Sequence, residues 1–316
     1  MSVLVVGSIN TDITSYGEAL PRIGETVMGK SYAMELGGKG ANQAAAAARL
    51  GAKVEFVGRI GDDAFGERAL QRLAEFGVST RHSTRDAEHA TGLAIIGVDA
   101  QGRNAITVIP GANMRLGARE LREGLRALER AKVLMLQLEI PVAACLEAAR
   151  AARERGVIVV LDPAPAPSAL LPDALYPLID VITPNETEAE ALLGFRPGTV
   201  EEAGRAAREL VAKGVRAAIV TLGARGAFVA RSKAAENGDA GGLVPPLAVT
   251  TVGTVAAGDC FDAGLAVALG EGKDLVEAAR FASACGALCV TKPGSAASAP
   301  RREEVEDLLA RASLDP

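Results

Sequence analysis

Residues 133–161 read VLMLQLEIPVAACLEAARAARERGVIVVL. Val133–Leu138 is a short, β-rich apolar run. Pro141–Arg155 is an amphipathic stretch long enough for a crossover helix, and Val157–Leu161 is a second apolar run. Runs of this length, separated by a helical pattern, read as a βαβ unit. Such units put strands side by side in a parallel sheet, with helices over its faces.

The same rhythm extends outward in both directions. Val3–Gly7, Val54–Val57, Val181–Thr183 and Ala218–Leu222 are further apolar runs. Asp63–Phe76 is amphipathic, with Phe65, Leu70, Leu73 and Phe76 marking one face, and Val200–Lys213 is similar. The expected fold is α/β, with a mostly parallel central sheet covered on both faces. Two segments break the pattern. Asp12–Leu36 is mixed, with no helical period. Thr91–Pro110 reads as two strands, Leu93–Val98 and Asn104–Ile109, joined by DAQGR at 99–103, a hairpin signature. Together these segments are expected to form a small antiparallel sheet projecting from the core.

A chain of 316 residues, 49% hydrophobic, suits one large domain or a large domain with a small appendage. The net charge of −5 gives no broad attraction to nucleic acid or anionic lipid, so an anionic substrate needs a local cationic or amide site. Cys145, Cys260, Cys285 and Cys289 fit no zinc or CxxC spacing and read as reduced, buried thiols of a cytoplasmic protein. No apolar run reaches the ~18 residues of a membrane span. Met1–Gly7 reads as a strand rather than a leader peptide. With only His82 and His89, a Ser-His-Asp triad or a His-rich metal site is not expected.

GETVMGKS at 24–31 matches the P-loop pattern letter for letter. The P-loop mechanism needs a buried strand before the loop and a helix after it. PRI precedes this match and an extended stretch follows it, so we read it as chance. Five other stretches carry candidate chemistry. Ser8–Asp12 follows the first strand, where α/β folds bind ligands; an Asx turn would look the same. GGKGANQ at 37–43 opens the Ala-rich helix and permits close backbone approach. AAGD at 256–259 runs into the helical stretch Cys260–Gly270; its amides suit anionic oxygens and its carboxylate suits a general base, or a plain helix cap. TPNETEAE at 183–190 gathers carboxylates at a helix start, where Glu188 would reach a Mg²⁺-bound water. TLGARG at 221–226 ends a strand in a Gly-rich turn, suited to nucleotide phosphate or to a simple hairpin.

In order, GSIN, GGKGANQA, LQLE, DPAPA, ITPNETEAE, TLGARG and AAGD resemble the ribokinase branch of the PfkB-type carbohydrate kinases, from Val3 to about Pro300. The resemblance implies a three-layer α/β/α sandwich with a small β lid over the sugar. The core would comprise 1–11, 37–90 and 111–316, and the lid 12–36 and 91–110. It implies a sugar-binding set of Asn10, Asp12, Gly38, Lys39, Asn42 and Glu139, and Asp259 as catalytic base, also in contact with the sugar. Ala256, Ala257 and Gly258 would form the anion hole. Asn185, Thr221, Gly223, Gly226, Gly258 and Ser283 would bind ATP, and Glu188 would hold Mg²⁺ through water. The implied partner is a second copy of the chain, docked lid to lid.

One departure is specific. Gly253 stands where the resemblance leads one to expect an aspartate that ligates an activating K⁺, so a cation site at Gly253, Val255 and Ser298 is expected to be weakened. Cys260 stands where threonine is common, and Ala263-Gly264 reverses the usual small pair. The reading is an ATP- and Mg²⁺-dependent sugar kinase, ribose first. Its rivals are a related kinase for deoxyribose, a ketohexose or a nucleoside, and a non-catalytic sugar- or nucleotide-binding protein.

Overall fold

The computed structural model describes residues 1–232 and 241–313. Its strands are β1 (Ser2–Val6), β2 (Asn10–Gly17), β3 (Gly29–Gly37), β4 (Lys53–Val57), β5 (Arg59–Gly61), β6 (Thr84–Asp86), β7 (Gly92–Val98), β8 (Asn104–Ile109), β9 (Val133–Leu136), β10 (Ile158–Leu161), β11 (Val181–Ile182), β12 (Ala217–Thr221), β13 (Ala227–Arg231) and β14 (Gly241–Val244). Its α-helices are α1 (Lys39–Arg49), α2 (Ala64–Glu75), α3 (Ala118–Gly124), α4 (Val142–Glu154), α5 (Glu186–Leu193), α6 (Val200–Ala212), α7 (Ala257–Gly270), α8 (Leu275–Cys289) and α9 (Arg302–Ala312).

The main sheet has the order β14-β13-β12-β11-β10-β9-β1-β4. It is parallel from β12 to β4 and antiparallel only at β13 and β14. Side chains alternate across it, so each strand feeds two cores. Val3 and Val5 of β1 join the cluster built with α1, α2, α7, α8 and α9. Leu4 and Val6 join the cluster built with α3, α4, α5 and α6. The result is the three-layer α/β/α sandwich expected of continuous apolar strands.

Small residues set how closely the layers approach. Ala44–Ala47 of α1 are buried against the sheet and α7. A Cβ at Gly264 of α7 would lie 2.6 Å from Cys285 Sγ on α8, so glycine at 264 is what lets these helices touch. The four cysteines are buried, free thiols.

The small sheet has the order β3-β2-β7-β8. It is mixed, not purely antiparallel as expected: β2 runs parallel to β7, from Asn10↔Gly92 to Tyr16↔Val98. Both excursions leave the core at the same level and in the same direction, which forces the parallel pairing. The hairpin joins β7 to β8. The mixed segment 12–36 holds strands β2 and β3, whose partly exposed faces blur the alternation that a sequence reading depends on. Gly29, Lys30 and Ser31 begin β3, and no helix follows them, so the P-loop match has no P-loop geometry. Among the described residues, no helix is long and apolar enough to cross a membrane.

Candidate active site

Sheet register assembles the site. The last paired residues of four adjacent strands are Val6, Leu136, Leu161 and Ile182. The residues just beyond them, Gly7, Gln137, Asp162 and Thr183, therefore stand in one row along the carboxyl edge. Chain connections reverse direction between β1 and β9, which makes this edge the crevice where open α/β sheets take ligands. Val133–Leu138 was expected to be strand throughout. The ladder stops at Leu136 because Leu138 N–H turns to Ala164 O (2.9 Å) and the Gln137 side chain enters the crevice row.

Asp259 lies over this row. Helix α7 begins at Ala257, three residues earlier than expected, so Asp259 sits in its first turn and is not the cap. The capping residue is Ala256, which takes a left-handed conformation (φ 60°) rare for a residue with a Cβ. Asp259 is buried, and its Oδ2 accepts from Asn42 Nδ2 at 3.0 Å. Burial pushes its carboxyl up to about 6; Lys39 opposes the rise, and Asp162 and Glu139 add to it.

A cavity of about 190 Å³ opens beside Asp259. Ala256, Ala257 and Gly258 line it on one side, and Lys39, Asn185, Glu188 and Thr221 on others. First-turn amides of a helix have no intrahelical acceptor and carry the positive end of its dipole. Only Ala257 N–H makes a weak turn bond here, to Thr254 O at 3.4 Å. Lys39 Nζ is 3.6 Å from Asp162 Oδ2. Burial disfavours the Lys39 charge, but Asp162, Asp259, Glu139 and Glu188 outweigh it and hold the ammonium well above its usual range. The cavity thus pairs a fixed cation and helix amides with a carboxylate that titrates near neutrality.

The residues expected to bind sugar are tied to the same centre. Glu139 Oε2 accepts from Ser8 Oγ (2.6 Å) and from Lys39 N–H (3.0 Å), joining the turns after β9 and β1 to the start of α1. Asn10 Oδ1 accepts from Asn113 Nδ2 at 2.7 Å. Asp12 is pushed up to about 7 by burial, then by Glu139, Glu35 and Asp259. Two glycines make room for these side chains. A Cβ at Gly37 would lie 1.9 Å from Asp12 Oδ1, and one at Gly92 would lie 2.1 Å from Asn10 Oδ1. Gly38 has φ 85°, and its Cβ would meet Asn10 N at 2.9 Å. Asn42 Oδ1 is buried and has no partner among the described residues.

The residues expected to bind ATP divide between two places. Asn185, Thr221 and Gly258 line the small cavity, whereas Ser283 lines a second one of about 790 Å³ between the 244–252 segment, α8 and α9. Gly223 and Gly226 line neither. Gly226 (φ 90°) abuts the backbone of Val244 and Pro246, beside the larger cavity. Asn185 is largely engaged as a helix cap: its Oδ1 accepts from Thr187 and Glu188 N–H, and its Nδ2 donates to Glu188 Oε1.

Among the described residues, no three carboxylate, thiolate or imidazole groups gather to hold a metal directly. Glu188 faces a cavity it shares with Asp162, Asp259 and Asp262. The Glu188 carboxylate suits Mg²⁺ held through water, since the ion prefers oxygen and keeps most of its waters. The expected K⁺ site lacks a carboxylate at Gly253, whose N–H bonds to Val290 O. The Val255 carbonyl accepts from the Cys289 thiol at 3.5 Å. Ser298 Oγ contacts the same sulfur at 3.1 Å and donates to Ser295 O.

Sequence reasoning assigned no role to Asp162, Asn113 and Asp262, nor to Gln43, the last residue of GGKGANQ. Asp162 was in view as the first letter of DPAPA, and its place one residue past a parallel strand was the available signal. Asp262 follows Asp259 by one helical turn, and its buried Oδ1 has no partner among the described residues. Burial pushes its carboxyl far up, and Asp162 adds to the effect.

The family described as pfkB family carbohydrate kinase matches residues 1–302. The chain is 40% identical over 311 residues to a ribokinase of Haemophilus influenzae, covering 98% of this chain and 99% of that one. It is 37% identical to a ribokinase of Mus musculus, covering 96% and 93%. The structure of Arabidopsis thaliana ribokinase complexed with ribose and ATP superimposes with a TM-score of 0.88, at 35% identity and 98% coverage of both chains.

Proposed function

The chain belongs to the pfkB family of carbohydrate kinases, and we propose that it moves the γ-phosphoryl group of ATP to O5 of D-ribose, with Asp259 as the general base. The observation that carries this reading is the position of Asp259: a buried carboxylate in the first turn of α7, facing the same cavity as Lys39 and the amides of Ala257 and Gly258. Phosphoryl transfer needs little covalent work from the protein. It needs an acceptor for the hydroxyl proton and fixed positive charge around the moving oxygens.

In this reading Asp259 takes the proton as the sugar oxygen attacks. Lys39 and the helix amides neutralise the γ-phosphate oxygens. Asn10, Asp12, Asn42 and Glu139 grip the sugar hydroxyls, and the unpartnered Asn42 Oδ1 is free to accept one. Glu188 would hold Mg²⁺ through its waters; when bound, that ion draws charge from the nucleotide phosphates. The larger cavity beside Ser283 has the volume for a base and ribose. Strands β2, β3, β7 and β8 would act as a lid. Ile106 and Val108 are exposed together on one face of it, which supports a lid-to-lid pairing of two copies. The missing carboxylate at Gly253 supports turnover that needs unusually high K⁺ or runs without it.

The test is ATP turnover with a panel of pentoses, hexoses and nucleosides, with K⁺ varied against a bulky organic cation at fixed ionic strength. Ribose is expected to give the highest kcat/KM, with no saturable activation at low millimolar K⁺. A nucleoside or hexose preferred over ribose would overturn the substrate; saturable activation at low millimolar K⁺ would overturn the cation reading.

A further inference from the structure

Gln43 lies one residue past Asn42 on α1, is fully buried and does not line the cavity. Its Nε2 is 3.0 Å from Asp162 Oδ2 and 3.2 Å from Asp259 Oδ1. Its Oε1 accepts from Gln137 Nε2 at 2.6 Å. A primary amide has two N–H hydrogens, so one goes to each carboxylate. Flipping the amide would aim an oxygen at two carboxylates and strand the Gln137 donor. The orientation is therefore dictated by its surroundings.

Gln137 is itself fully buried in the row beyond β9. A Cβ at Gly7 would lie 2.1 Å from Gln137 Oε1, so glycine just past β1 is what admits this side chain. A chain of contacts thus runs from the sheet edge through Gln137 and Gln43 to Asp259. Asn42 holds one carboxylate oxygen of Asp259 and Gln43 holds the other, which leaves the carboxyl plane no freedom to turn.

We propose that Gln43, oriented by Gln137, is a positioning residue for phosphoryl transfer that fixes the carboxylate of Asp259 and couples it to Asp162. The inference rests on the reading of Asp259 as the base. Gln43 reaches no substrate. It acts by keeping the base in plane and by donating to its charged form, which favours ionisation.

Replacing Gln43 by methionine keeps the shape and removes the donor. Loss of one hydrogen bond to a charged group is expected to lower kcat about ten- to a hundredfold. KM for sugar and for ATP should stay within about threefold. The acid limb of the rate profile should move upward by about one pH unit, because the ionised base has lost a donor. The other groups acting on Asp259 keep their places in this variant, Asp162 alone among them also losing the Gln43 donor: Lys39 on α1, Asp12 on β2, Glu139 after β9, Asp162 after β10, Glu188 on α5, Cys260 and Asp262 on α7 and Cys289 on α8. Gln137→Met should move kcat and the acid limb the same way by less, and it carries the test if Gln43→Met does not fold.

A folded variant with normal kcat and an unmoved acid limb would overturn the proposal. So would a loss spread equally over kcat and both KM values with the limb unmoved, since a residue that only fills the core would give that. Asp259→Asn, measured alongside, separates the two readings. If Asp259→Asn is inactive and the Gln43 variants are unshifted, this inference alone fails; if Asp259→Asn turns over normally, the base assignment fails.

Discussion

The chemistry at residue scale depends on a crowd of carboxylates with one cation among them. Asp12, Asp162 and Asp259 are all raised toward neutrality, first by burial and then by neighbouring carboxylates, of which Glu139 acts on all three. The sign of the pH effect follows directly. On the proposed reading Asp259 must be ionised to accept a proton, and Asp12 must be ionised to take a strong hydrogen bond from a sugar hydroxyl. Values of about 6 and about 7 in the free protein place the acid limb of kcat/KM in that range. Activity should be full above it and fall as the pH drops through 7 toward 5. A profile flat down to pH 5 would show that neither raised carboxyl governs the reaction. Ala256 adds a backbone feature at the same scale. A left-handed alanine costs roughly 1–2 kcal/mol, and it stands where the chain turns to aim the first amides of α7 into the cavity.

At the scale of elements, the alternation of apolar runs and amphipathic stretches carried the βαβ reading, because buried parallel strands and their covering helices impose different periods on a sequence. What it did not carry was the direction in which β2 pairs with β7, since pairing across 80 residues leaves no local trace. The motifs after β1, β11 and β12 were legible because ligand residues concentrate where parallel strands end. Gln43 and Asn113 were not, because a buried glutamine or asparagine looks the same in sequence whether it orients a base or caps a turn. The 24–31 stretch shows the opposite risk, a motif without its fold. Lys30 is bonded to Glu18 on the exposed small sheet and lines neither cavity. An exposed ion pair is worth roughly 0–1 kcal/mol. Lys30→Ala should therefore leave kcat and the KM for ATP within about twofold. A collapse of turnover in the folded variant would reinstate the P-loop reading.

At the scale of the whole molecule, the α/β/α layers fix the carboxyl edge of the main sheet, and the small sheet projects from that edge beside the residues expected to bind sugar. All six residues of β8 are exposed, and its outer edge is open. Open edges with apolar side chains are usually covered. Lid-to-lid pairing is the cover we propose, and light scattering at micromolar concentration should give the mass of two chains. Replacing Ile106 and Val108 by lysine should return the mass of one. A monomer of the unaltered chain would remove the pairing. The central claim, that Asp259 is the base, is tested most directly by the single-turnover rate of Asp259→Asn with saturating ribose and ATP. The change keeps the side chain's shape and removes its proton acceptor. The account predicts a rate lower by about 10²–10⁴-fold, with ribose affinity largely kept. A rate within a few-fold of the unaltered chain would contradict it.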